Sequence, residues 1–141
     1  MAYVTTDDLE LAAGGAARLV EISDIDGDGV ADPEVLAGAI AAADGWIDGY
    51  LRVRFATPLA APTATVKAQI ADEAIHWIIK RRRMLTEQDV VDKTARDLWA
   101  RAIADGKIRP DEPNPAPSTA IRSAFRSSSR AVSRETLKGF A

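Results

Sequence analysis

The sequence contains no cysteine. That absence excludes disulfides, thiolate metal centres and a cysteine nucleophile. It contains one histidine, His76, so no imidazole pair exists for a ligand set. His76 sits in an apolar stretch beside Trp77 and reads as a packed structural histidine, with neither nucleophile nor orienting group nominated near it. No apolar run approaches the ~20 residues that span a bilayer. There is no phosphate-cradling glycine loop and no metalloprotease helix motif. Gly27 and Gly29 lie among carboxylates, which would repel a phosphate. No stretch reads as a strand. An enzyme is therefore not expected, because no acid, base and nucleophile come together in the pattern. The N-terminal MAYVTTDDLE is acidic and polar, unlike a signal peptide, and a soluble cytoplasmic product is the expectation.

What is present suits helices. The 141 residues are 47% apolar, enough for one domain with a buried core. Much of that apolar fraction is alanine, which favours close helix contacts. The stretch Pro33 to Leu59 organises the rest. Its Leu36, Ala39, Ile40, Ala43, Ile47, Tyr50 and Leu51 recur with the spacing of one helix face. Asp32 is placed to cap this helix, and Pro33 suits its first position, where no N–H is needed. The helix is expected to run to about Arg54 and to stop before Thr57–Pro58. Ala41, Ala42, Gly45 and Gly49 would let neighbouring helices approach it closely.

Two short helices are expected before it. Thr5 or Thr6 caps the first, which shows Leu9 and Leu11 and ends at Gly14–Gly15; the second covers about residues 16–21. A longer helix is expected over about 66–84, apolar nearly all round. It ends in Lys80-Arg81-Arg82-Arg83, which reads as a solvated helix end more than as a phosphate contact. Thr86 caps the last helix, whose stripe is Val91, Ala95, Leu98 and Ala102, widened by Trp99 and Ile103, with Gly106 just past its end. The fold expected is all-α: a small bundle of two short and three longer helices over residues 1–110. A Pro-rich linker over 111–120 and a basic tail over 121–141 follow.

Charge divides along the same line. From Ser118 onward there are five basic residues, Arg122, Arg126, Arg130, Arg134 and Lys138, and one acid; the preceding part carries 13 basic and 20 acidic groups. An acidic body with a basic tail implies a separate partner for the tail. The tail's cations sit every fourth position, interleaved with Ile121, Phe125, Val132, Leu137 and Phe140. A DNA-binding arm is one reading. Docking on an acidic or mixed protein surface accounts better for the apolar interleaving, with the segment ordering on its partner.

The loop Asp24–Asp32 carries a different signal. Asp24, Asp26 and Asp28 alternate, Gly29 follows, and Asp32 falls on the ninth position, as in the first half of a calcium loop. The twelfth position, where a bidentate Glu belongs, is Val35. The loop reads first as an Asp/Gly turn entering a helix cap, and second as a weak Ca2+ site on those four carboxylates. A calcium-responsive module and a DNA-binding protein are thus the alternatives to an interaction protein.

The segments YVTTDDL, DxDGDGxxD and IDGYLRVRFATPL occur in that order. Together they resemble the small neck proteins of Mu-like phages and prophages. That family is similar to the head–tail connectors, or adaptors, of other long-tailed phages. The resemblance covers roughly residues 1–109. It implies a helical adaptor in a virion neck, assembled on itself as a ring, typically dodecameric, beneath the portal protein. Such a ring extends the channel through which DNA passes without sequence-specific binding, and offers a platform to a stopper or tail-completion protein. No membrane partner and no required cofactor are expected. A tail bearing Arg122, Phe125, Arg126, Arg130, Arg134, Lys138 and Phe140 would suit the portal-holding C-terminal segments of related connectors.

Overall fold

The computed structural model describes residues 2–111. Five helices account for its regular structure: α1 (Thr6–Ala13), α2 (Ala16–Ser23), α3 (Pro33–Leu51), α4 (Ala64–Arg81) and α5 (Glu87–Ala104). The fold is all-α, and no strand occurs among the described residues. α3 and α4 form the most extensive pair. α1 packs on α4, α2 lies beside α1, and α5 leans on both α3 and α4 over a narrower contact.

Local chemistry explains most of the boundaries. Thr5 and Asp8 form a reciprocal capping box at α1, and Thr86 and Asp89 repeat it at α5, each satisfying N–H groups the helix cannot. Pro33 takes the first turn of α3. α5 ends with Gly106 in the left-handed region, φ +77°, and the Gly106 and Lys107 N–H groups fold back on the Ile103 and Ala102 carbonyls. This is a Schellman closure. α4 closes likewise, through the N–H groups of Arg83 and Met84 on Lys80 and Ile79. Here the left-handed residue is Arg83, φ 56°.

The core runs along α3 and α4. Ala39, Ala43, Ile47 and Leu51 of α3 and Ile70, Ala74 and Ile78 of α4 are all fully buried, with Leu9, Leu19, Ile22 and Ile103 buried in the same cluster. The alanines of α3 permit the close approach. Each fully buried large aliphatic contributes about 1.5–3 kcal/mol.

Several expectations change in three dimensions. α3 stops at Leu51, not Arg54, because the chain turns there. The Arg54 and Phe55 N–H groups both bond the Leu51 carbonyl, and the Arg54 guanidinium donates to the Ala104 carbonyl at 2.7 Å. α4 spans Ala64–Arg81 rather than 66–84: Thr63 caps it through the Val66 N–H, and the Arg83 turn ends it. Leu11 is 83% exposed and does not share Leu9's burial. Ala41, Gly45 and Gly49 face outward, and no helix of the described chain covers them. On α5, Val91 and Leu98 are both 60% exposed. Ile103, expected at the edge of the stripe, is buried and Trp99 packs partly against the core, while Arg96 and Ala100 complete the buried side. An ion network turns it inward, as described below.

Gly106 also leaves room for Arg54. A Cβ there would stand 2.9 Å from the Arg54 guanidinium carbon. Gly106→Ala is expected to cost about 1–2 kcal/mol through the left-handed φ alone. It also displaces Arg54 from the end of α5. Thermal unfolding measured beside Arg54→Ala separates the two contributions.

Candidate interaction surface

The Asp24–Asp32 loop is built by its own backbone. Asp24 accepts from the Gly27 and Gly29 N–H groups at 2.7 and 2.9 Å, Asp26 from Asp28, and Asp28 from Val30. The Gly29 and Gly27 N–H bonds hold the Asp24 carboxyl below the usual range. For Asp26 the Asp28 N–H pulls downward, but desolvation and the neighbouring Asp28 and Asp32 charges outweigh it, and its pKa is raised. Oxygens of Asp24, Asp26 and Asp28 come within 4.8 Å of one another. Three carboxylates could meet a hard cation, but fall short of the 6–8 oxygens that calcium takes. Asp32 does not join them. It stands at the N-cap position of α3 without a side-chain cap bond, and its carboxylate turns back to accept from the Ile25 N–H at 2.8 Å. Arg82 fastens the loop to the end of α4 by donating to the Asp24 carbonyl at 2.6 Å.

Two polar networks that sequence spacing did not nominate organise the body. In the first, the buried Tyr3 donates its hydroxyl proton to Asp48 at 2.6 Å and accepts from the Leu59 N–H at 2.9 Å. In the second, Glu73 of α4 meets Arg96 and Lys93 of α5, each at 3.2 Å. Lys93 also pairs with Asp97, and its ammonium lies 5.0 Å from the centroid of the Trp46 ring. The Trp46 indole N–H donates to Asp97 at 2.9 Å. Burial would raise the Asp97 pKa, but the bonds from Lys93 and Trp46 win and hold it low. Lys93 and Asp97 at i, i+4 were a visible signal; their partners on α3 and α4 were not.

Between α1, α4 and α5 lies a groove of about 450 Å³, floored by Ile75, Ile79 and Trp99 and edged by Asp72, Asp89 and Asp92. His76 lines it, its pKa lowered chiefly by desolvation; Glu73 pulls upward, and the Arg96 and Lys93 charges add to the fall. A second, more apolar hollow of about 340 Å³ adjoins it between α1 and α4, and Ala12 and Asp72 line both. The tail residues Arg122, Phe125, Arg126, Arg130, Arg134, Lys138 and Phe140 lie outside the described residues, as does the segment beyond Asp111 expected to be a linker.

The surface of this small helical body is organised by charge and by uncovered helix faces. Comparison with known proteins gives it a lineage. A family model described as Bacteriophage Mu, Gp36 matches residues 3–128. The chain belongs to that family. It is also 35% identical over 85 residues to Gene product J of Escherichia phage Mu, a match covering 59% of this chain and 57% of that protein. The matched stretch thus spans just over half of the curated relative. The Gp36 match passes the end of the helical body and takes in the linker, Arg122, Phe125 and Arg126. The resemblance read from residues 1–109 therefore extends further than those motifs. Both matches place the chain among proteins of phage Mu and its relatives. Among the described residues no helix is long and apolar enough to cross a membrane.

Proposed function

We propose that the protein is a head–tail connector of a Mu-like phage. In this reading copies assemble as a ring beneath the portal, extend the DNA channel and present a docking platform to stopper or tail-completion proteins. Membership in the Gp36 family is the observation that carries the reading. The body supports it in two ways. Two of the motif segments behind the resemblance are physically joined, since Tyr3 in the first bonds Asp48 and Leu59, both in the last. The outer faces of α3 (Ala41, Gly45, Gly49) and α5 (Val91, Leu98) are small or apolar and are covered by no other helix of the described chain, as suits contacts between neighbouring copies in a ring.

The acidic body would flank the channel and repel DNA weakly, so that the duplex slides. The basic tail would hold the portal. Phe125 and Phe140 supply apolar anchors, and Arg122, Arg126, Arg130, Arg134 and Lys138 supply charge-assisted bonds. Many such tails on one ring give firm attachment from individually weak contacts. Native mass spectrometry of the purified chain mixed with the phage's portal ring tests this. The expected result is one copy per portal subunit, with occupancy lost or much reduced when Arg122, Arg126 and Arg130 are changed to glutamate. Absence of binding by the full chain overturns the connector reading. Unchanged binding by the charge-reversed chain overturns the tail's part in it.

A further inference from the structure

We propose that the basic tail, residues 121–141, docks in its own chain's groove along α4, between α1 and α5. The two hollows form one trough. Its first part is apolar, lined by Leu11, Ala64, Ala68 and Ala71. Its second part is acidic at the rim, where Asp72, Asp89 and Asp92 surround Ile75, Ile79 and Trp99. Along the whole trough, four carboxylates, Asp8 included, face two cations, Lys67 and Arg96. Arg96 is already neutralised by Glu73. Asp72 is half-buried and makes no hydrogen bond or ion pair among the described residues; desolvation raises its pKa, against the pull of Arg96. It is a carboxylate placed to gain from an incoming cation. Leu11, 83% exposed on the rim, likewise has apolar surface to cover.

The point where the tail leaves selects it as the occupant. The Thr63 N–H donates to the Pro110 carbonyl at 3.1 Å. The chain therefore departs beside the first turn of α4, at the apolar end of the trough. From Ala64 to Ile79 the trough is ~22 Å long at 1.5 Å per residue. The linker 111–120 can span up to ~33 Å when extended. The order of residues matches as well: Ile121 and Phe125 arrive first, opposite the apolar part, and Arg126, Arg130 and Arg134 follow toward the carboxylates. A tethered segment acts at an effective concentration on the order of millimolar, so weak contacts suffice. The contact needs no portal. If the tail also serves a portal, the groove is its resting place before assembly.

The absence of cysteine makes a clean test available. Ser128→Cys in the full chain carries a single nitroxide, and paramagnetic broadening of 15N-labelled amides reports what it approaches. With the doubly labelled chain diluted into excess plain protein, signals over residues 68–79 and 89–99 are expected to be lost. Mixing nitroxide-bearing chains with separate 15N chains should leave those signals intact. Adding Arg126→Glu, Arg130→Glu and Arg134→Glu, which leave the body untouched, should restore them in the first sample. No broadening at the groove, broadening only in the second mixture (a tail seated on another copy), or broadening that survives the charge reversal each overturns the proposal. The portal-binding measurement is independent of all three outcomes.

Discussion

Replacing Glu73 with alanine is expected to lower the free energy of unfolding by about 3–5 kcal/mol, the cost of leaving a buried cation unpaired. Glu73 and Arg96 are only 9% and 8% exposed. Their contact is the centre of the network that seats α5 on α3 and α4. Without the carboxylate, Arg96 keeps its burial and loses its ion-pair partner. Lys93 keeps Asp97 and the Trp46 ring. The loss should therefore concentrate on α5, whose apolar contact with the rest of the body is the slimmer one. Urea titration measures the total, and the melting temperature should fall by on the order of 10 °C or more for a domain of this size. Amide exchange on α5 should rise before exchange on α4. The double replacement Glu73→Met with Arg96→Met removes both charges and fills both volumes, so it should cost less than the single change. A single-mutant cost under about 1 kcal/mol would place the pair among solvated surface bridges and remove the reason given for the orientation of α5.

That orientation marks the limit of what the sequence could tell. The helices and most of their ends were legible because the signals are local: Thr5 and Thr86 as caps, Pro33 in a first turn, Gly14 and Gly106 past helix ends. The face of α5 was legible only in part, at Trp99 and Ile103. Val91, Ala95, Leu98 and Ala102 obey helical spacing, and so do Arg96, Ala100 and Ile103. Apolar count favours the first set, and it is wrong for Val91, Ala95 and Leu98, which are exposed. The deciding partner, Glu73, stands 23 residues away on another helix. The end of α3 was misplaced for a similar reason, since Arg54 is drawn off by a carbonyl on α5. In the Asp loop, alternation correctly brought three carboxylates together. It could not show that Asp32 would satisfy the Ile25 N–H instead. The groove was invisible, because Asp72 stands on α4 while Asp89 and Asp92 stand on α5, and no pattern along the chain joins the two.

Tyr3→Ala should cost about 3–5 kcal/mol, the range for truncating a buried aromatic. Tyr3 is 7% exposed, and its hydroxyl joins three segments distant in sequence. Tyr3→Phe isolates the hydroxyl: the buried Leu59 N–H loses its acceptor and Asp48 its donor, for about 1–3 kcal/mol. The same bonds predict an alkaline signature. Burial pushes the Tyr3 phenol up, the Asp48 carboxylate adds to the rise, and the Leu59 N–H opposes it, leaving the pKa at about 12. An unfolded tyrosine titrates near ~10. Above that pH the unfolded state has lost a proton that the folded state keeps, so stability falls as pH rises. The fall begins near pH ~10 and ends as pH passes the folded value, and it is worth on the order of 2–3 kcal/mol. Below pH ~10 the phenol contributes no slope. Lysines titrate over the same range, so the readout is the difference between wild type and Tyr3→Phe, measured by urea titration at pH 9 to 12. The gap between them should narrow across that window. If it stays constant, the Tyr3 hydroxyl is not held away from solvent by Asp48 and Leu59, and the link between the N-terminal segment and α3 rests on packing alone.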